Sequence, residues 1–230
     1  MKFYTNVQLI GNQFLVRGVE NGRRYEHRDE FFPTLFVKSK KNLKTKYKTL
    51  SGESVEAINP GTVRDCRDFY KKYEDIEGFE IYGNDRYIYQ YISEKYPEDE
   101  IKFDISQIKL VTLDIETTAE KGFPDVESAS EEILAITIQD YTTKEIITWG
   151  VKPFVNKQKN VTYRYCSTEH QLLSDFINYW MQDVPDVVTG WNIQLFDIPY
   201  ICKRLNRVLG EKLMKRFSNW GLVTEGKIFI

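Results

Sequence analysis

Cysteine is scarce: Cys66, Cys166 and Cys202 are the only ones in 230 residues. An odd number at wide spacing offers neither a disulfide framework nor the paired spacing of a zinc site. An excess of positive charge is also missing. Lys and Arg total 32 against 34 Asp and Glu, for a formal net charge of −2, which argues against a histone-like or tail-like polyanion binder. It leaves room for an enzyme whose site holds metal ions. No run approaches the roughly 18 apolar residues of a membrane span. The opening Met1-Lys2-Phe3-Tyr4-Thr5-Asn6 meets polar residues at once and lacks the apolar core of a signal peptide. An intracellular, soluble protein with no membrane partner is therefore expected. The length suffices for one large or two small domains with a proper core.

What is present begins with β-rich sequence. Phe3 to Ile10 and Gln13 to Val19 flank Gly11-Asn12, and Asn21-Gly22 precedes Arg23 to Arg28. Both dipeptides are hairpin signals, so residues 3–37 read as a small antiparallel sheet ending in the apolar strand Phe31 to Val37. Lys38, Lys40, Lys41, Lys44, Lys46 and Lys48 follow. They fit a solvated edge guarded against aggregation, and a phosphate-binding stretch stays open as the alternative. Gly61 to Tyr73 reads as a helix with Thr62 at its N-cap. Gly78 to Asp85 reads as a strand into a turn, and Tyr87 to Ile92 as an aromatic strand. Packing on a half-buried sheet explains those tyrosines, with base stacking as the alternative. The acidic break Pro97-Glu98-Asp99-Glu100 precedes a domain boundary near residue 106.

The second half is organised around Leu110-Val-Thr-Leu-Asp114-Ile-Glu116. The apolar run is too short for a helix and reads as a buried strand. On a strand, residues i and i+2 share a face, so Asp114 and Glu116 lie side by side. Two carboxylates so placed repel each other, and a hard divalent ion with oxygen ligands relieves that repulsion. A pair of solvated acids at a strand end is the plainer alternative. Ile133 to Tyr141 and Lys144 to Trp149 read as two strands about a tight turn, and residues 150–164 as irregular. Thr168 and Gln171 have capping-box spacing ahead of a helix faced by Leu172, Leu173, Phe176, Ile177 and Trp180. Val187 to Thr189 forms a short strand and Gly190-Trp191-Asn192 a turn. A last helix carries Phe196-Asp197 in its opening turns and a stripe of Ile198, Ile201, Leu205 and Val208.

A strand-borne Asp-x-Glu, an antiparallel pair, then helix, strand and helix with an acid near the last helix start resembles the order of the ribonuclease-H-like nucleases. Asp114-Ile-Glu116 followed by Gly190-Trp-Asn192-Ile-Gln-Leu-Phe196-Asp197 resembles the first two exonuclease motifs of family B DNA polymerases. Phe32-Pro-Thr-Leu-Phe-Val37, Gly78-Phe-Glu-Ile-Tyr-Gly-Asn84 and Gly210-Glu-Lys-Leu-Met-Lys-Arg-Phe-Ser218 look like the replicative polymerases of T-even-like tailed phages. The similarity runs over essentially the whole chain. It implies a mixed α+β and α/β architecture. A β-rich N-terminal domain over residues 1–106 would precede a partial ribonuclease-H-like (DnaQ-like) 3′→5′ exonuclease domain over 107–230.

The resemblance also implies two divalent ions, Mg²⁺ or Mn²⁺, with Asp114 bridging both, Glu116 ligating one and orienting the water, and Asp197 holding the second. Asn192 and Phe196 would position the 3′-terminal nucleotide, and Phe123 of the Gly-Phe-Pro-Asp loop would wedge against bases of a frayed primer. Its implied partners are the single-stranded or primer 3′ end of DNA, the remaining polymerase segment, a sliding clamp and replisome proteins, in the cytoplasm of a phage-infected host. The family's fourth acid and tyrosine, in a Tyr-x-x-x-Asp pattern on a later helix, are not found after Asp197. That departure leads to the expectation of a polymerase piece or a split gene, and of little exonuclease activity by this chain alone. A free-standing exonuclease and a non-catalytic nucleic-acid-binding or regulatory fragment are the rival readings. Plainer structural roles are a helix-dipole acid for Asp197, a turn residue for Asn192 and a loop anchor for Phe123.

Overall fold

A computed structural model describes residues 2–39, 45–97, 101–120 and 122–224. The chain divides into two compact units, Met1–Gln107 and Ile108–Ile230. In the first unit β1 (Lys2–Ile10), β2 (Gln13–Glu20) and β3 (Arg23–Glu30) form an antiparallel meander. Asn21 and Gly22 both take positive φ, 51° and 78°, the type I′ geometry whose twist matches paired strands. A second sheet, ordered β5-β6-β4-β7, joins β4 (Leu35–Lys38), β5 (Tyr47–Lys48), β6 (Ser54–Ile58) and β7 (Ile81–Tyr82). Strand structure thus starts at Leu35 rather than Phe31, and only Ile81–Tyr82 of the Gly78 to Asp85 stretch pairs. Lys38 is ion-paired with Glu53 at 3.0 Å, while Lys40, Lys41 and Lys44 lie outside the described residues.

Helix α1 (Val63–Tyr73) opens on a complete capping box. Thr62 accepts from the Asp65 amide, and the Asp65 carboxylate accepts from the Thr62 amide at 2.8 Å. Helix α2 (Tyr87–Lys95) replaces the expected aromatic strand. Alternation would have put Tyr89 beside Tyr87 and Tyr91, yet Tyr87 and Tyr91 are buried and Tyr89 is 53% exposed. Tyr91 stacks on Phe14 with ring centroids 4.6 Å apart and meets Phe31 edge-on. Its hydroxyl donates to Asp29 at 3.0 Å. An i, i+4 pair suited to the β1–β3 sheet overrides the β-propensity of the local sequence.

The second unit is built on one five-stranded sheet, ordered β11-β10-β9-β8-β12. Its strands are β8 (Leu110–Thr117), β9 (Ile133–Asp140), β10 (Ile146–Gly150), β11 (Val161–Tyr165) and β12 (Val187–Thr189). Strand β9 is antiparallel to both of its neighbours, β8 and β10, whereas β12 runs parallel to β8 and β11 parallel to β10. Strand β11 lies within the stretch expected to be irregular. It is an edge strand with no fully buried residue, so it carries little apolar signal and is held by pairing with β10. Helices α3 (Glu169–Gln182) and α4 (Asp197–Leu209), followed by the short α5 (Glu211–Met214), complete the unit. Leu113, Ile115, Ile136, Trp149, Phe176 and Leu205 join one buried core. At the start of α3, Thr168 accepts from the Gln171 amide as expected. The Gln171 side chain instead accepts from the amide of Ser167, one residue before the cap. No helix among the described residues is long and apolar enough to cross a membrane. Residues 225–230 lie outside the described residues.

Candidate active site

Strand β8 alternates strictly from Val111 to Glu116: Val111, Leu113 and Ile115 are buried, and Thr112, Asp114 and Glu116 are exposed. The two acids therefore share the face opposite the core, as the period of 2 requires. The β8–β9 ladder shifts register between Glu116 and Thr117. Such an irregularity locally bends and twists the strand directly after the second acid.

Asp197 arrives from the other end of the unit. Strand β12 pairs Thr189 with Thr112, and Gly190 then passes so close to β8 that a Cβ on it would stand 2.5 Å from the Leu113 carbonyl oxygen. Asn192 takes φ 60°, and its carbonyl accepts from the amides of Leu195 and Phe196 at 3.0 and 2.9 Å. This compact turn delivers Asp197 as the first residue of α4. Its side chain is 3% exposed, and its Oδ1 accepts from the Ile115 amide at 3.2 Å. Burial holds the Asp197 carboxyl above its ordinary value, and the charge of Asp114 pushes in the same direction. Asp114 and Asp197 are thus brought into electrostatic contact. Among the described residues no three acidic, histidine or cysteine side chains converge closely enough to grasp one ion.

The donor chemistry nevertheless fits a hard divalent cation. Asp114, Glu116 and Asp197 offer oxygen only, and a cation beside Asp114 and Asp197 would offset the repulsion that raises the latter. The three expected substrate contacts also lie near this end of the unit. Phe123 is 83% exposed, and its ring centroid is 5.2 Å from that of Phe196, which in turn is 5.2 Å from Tyr200. Asn192 is exposed and Phe196 half-buried. Trp191, 93% exposed, and Leu195, 51% exposed, add apolar surface to the same turn. Neither was singled out in the sequence, where the turn reads as punctuation. Their exposure is visible only once α4 has taken Tyr200 and Ile201 into the core.

Residues 70–229 match the family model of the DNA polymerase family B exonuclease domain. The chain belongs to DNA polymerase family B. The DNA-directed DNA polymerase of Enterobacteria phage T4 is 33% identical over 248 residues, covering 96% of this chain and 27% of that protein. That of Escherichia phage RB69 is 30% identical over 243 residues, covering 94% and 27%. The DNA polymerase of Pyrococcus glycovorans is 32% identical over 108 residues, covering 46% of this chain and 12% of its own length. The chain therefore spans about a quarter of the length of its phage relatives. The family B resemblance seen in the exonuclease motifs and the T-even-like resemblance of the N-terminal stretches agree with these matches.

Proposed function

We propose that this chain serves as the N-terminal portion of a phage replicative DNA polymerase. In this reading residues 1–106 form its β-rich N-terminal domain. Residues 107–230 contribute part of a ribonuclease-H-like 3′→5′ proofreading exonuclease acting on the primer end of DNA in the infected host's cytoplasm. The observation that carries the reading is the placement of three acids on or against one strand, β8. Two acids share the open face of that strand, and a third is bonded to the amide between them. The sheet order, with β12 parallel to β8, supports the ribonuclease-H-like assignment.

Asp114, Glu116 and Asp197 would hold two Mg²⁺ or Mn²⁺ ions, which when bound supply Lewis-acid activation of water and neutralise charge at the leaving 3′ oxygen. The chain's own contribution is position and electrostatics. Asp114 and Glu116 present their carboxylates on one face, and the Ile115 amide fixes one oxygen of Asp197. Phe123, Phe196 and Asn192 line the approach, two aromatic faces and an amide suited to holding a terminal nucleotide by stacking and hydrogen bonding. The remaining polymerase segment, a sliding clamp and replisome proteins are the partners this role entails. Calorimetric titration with Mn²⁺ tests it: Asp114→Ala should lose most of the heat and affinity of the wild-type chain. Equal affinity in the two proteins would overturn the metal assignment and favour a non-catalytic nucleic-acid-binding role.

A further inference from the structure

Phe123 lies on the connection from β8 to β9, and helix α4 holds that connection from two directions. At the start of the helix, the Phe196 ring meets Phe123. Farther along, Tyr200 donates its hydroxyl to the Glu131 carbonyl at 2.8 Å, and Lys203 pairs with Glu127 at 2.8 Å. Arg204 donates from Nη1 to the Ala129 carbonyl at 3.0 Å and is ion-paired with Glu169. Arg207 donates to the carbonyls of Ala129 and Ser128 at 2.9 and 2.7 Å. Phe196 and Arg207 are roughly 16 Å apart along the helix at 1.5 Å per residue. One rigid rod thus grips both the loop's aromatic residue and its returning limb.

The grip coincides with a backbone conformation that needs support. Ala129 has φ 39° and is 1% exposed; a left-handed non-glycine residue persists only where its surroundings hold it. Its carbonyl receives both guanidinium groups, and its amide donates to the Asp125 carbonyl at 2.9 Å. The Asp125 carboxylate in turn accepts from the Ser128 amide at 2.7 Å. Asp125 is two residues from Phe123, so the turn fixed by Arg207 sets where the Phe123 segment leaves the loop. Arg204 is buried with Glu169 and serves the core as well. Arg207 is exposed, and its guanidinium donates to the two carbonyls of this limb.

We propose that Arg207 is a positioning residue for Phe123, acting through the Ser128 and Ala129 carbonyls to hold the aromatic ring where a single-stranded 3′ end would stack. This rests on the proposed function and extends it to a residue outside the nuclease motifs. The first test needs no DNA. Hydrogen exchange of Arg207→Ala should be several-fold faster at the amides of Ser128 and Ala129, with the β8 and β9 ladder amides and the melting temperature essentially unchanged. Unchanged exchange in the loop would overturn the proposal. So would acceleration spread over the whole sheet, since that marks a general structural role.

The second test is a double-mutant cycle on binding of a short single strand carrying 3′-terminal 2-aminopurine, read by its fluorescence. Arg207→Ala should weaken binding several-fold when Phe123 is present and not at all in a Phe123→Ala background. An equal loss in both backgrounds would make Arg207 a direct phosphate contact and overturn the positioning role. If Phe123→Ala itself leaves binding unchanged while loop exchange still accelerates, the substrate reading of Phe123 fails and the clamp by Arg207 stands.

Discussion

Asp197 does two jobs with one carboxylate, and the two separate on substitution. Its charge is disfavoured by burial and by Asp114, whereas its oxygen satisfies the Ile115 amide. Asp197→Asn keeps an acceptor and removes the charge, so in chelator it should be at least as stable as the wild type while losing Mn²⁺ affinity. Asp197→Ala strands a buried N–H and should cost about 1–3 kcal/mol in urea unfolding. Equal losses for the two variants would show that the bond to the Ile115 amide contributes nothing measurable to stability. Asp114 and Glu116 were legible as neighbours because a strand's period of 2 is a local rule. The bond from Asp197 to Ile115 joins residues 82 apart in sequence and leaves no local pattern. Cysteine gives a separate test: burial pushes the Cys202 thiol up to about 11. A raised thiol pKa keeps the group neutral below that value, leaving on the order of a thousandth as thiolate at pH 8. Alkylation of native Cys202 by iodoacetamide, followed by mass spectrometry, should therefore keep rising with pH towards about 11. A plateau near the ordinary thiol value of ~8.5 would show that the burial is not maintained.

Secondary-structure elements were legible where the local pattern and the tertiary demand coincide. Strand β8 and helix α3 are such cases, since their apolar residues fall on the period that the core uses. Helix α2 was misread because Tyr-Ile-Tyr-Gln-Tyr-Ile alternates like a strand, and only the partners Phe14, Phe31 and Asp29 favour the helical pairing of Tyr87 with Tyr91. Strand β11 escaped because an exposed edge strand needs a neighbour's backbone more than an apolar face. The β12–β8 approach is sharper still, for it depends on a missing side chain. Gly190 has no left-handed requirement, and its close contact is with the backbone of Leu113, which cannot rotate away as a side chain would. Gly190→Ala should thus cost about 1–3 kcal/mol by overpacking, with hydrogen exchange at β12 raised most. A stability within 0.5 kcal/mol of wild type, the range of ordinary surface substitutions, would show that β12 can move aside freely.

At the scale of the whole molecule, each unit has its own core, one around Phe14, Leu35 and Tyr91 and the other around Leu113, Trp149 and Phe176. The second contains a buried ion pair at the junction of its elements. Glu169, 7% exposed, opens α3, and Arg204, 4% exposed, sits in α4. Glu169 Oε1 accepts from Arg204 Nε at 2.8 Å and from the Ile133 amide at the start of β9 at 2.8 Å. The guanidinium also reaches the Ala129 carbonyl. One pair thus ties two helices, a strand start and the loop that carries Phe123. Isolated in hydrocarbon, either charge would be costly, so each single removal leaves an uncompensated partner. Glu169→Leu and Arg204→Met should each lose about 3–5 kcal/mol. The double variant has no orphaned charge and should lose less than the sum, by about 1–3 kcal/mol of coupling. It should not recover fully, because the Ile133 amide and the Ala129 carbonyl still lose a partner each. Urea unfolding of the four proteins measures this cycle. Strict additivity would mean that the two side chains act separately, and that α3 and α4 are joined by the surrounding apolar contacts alone.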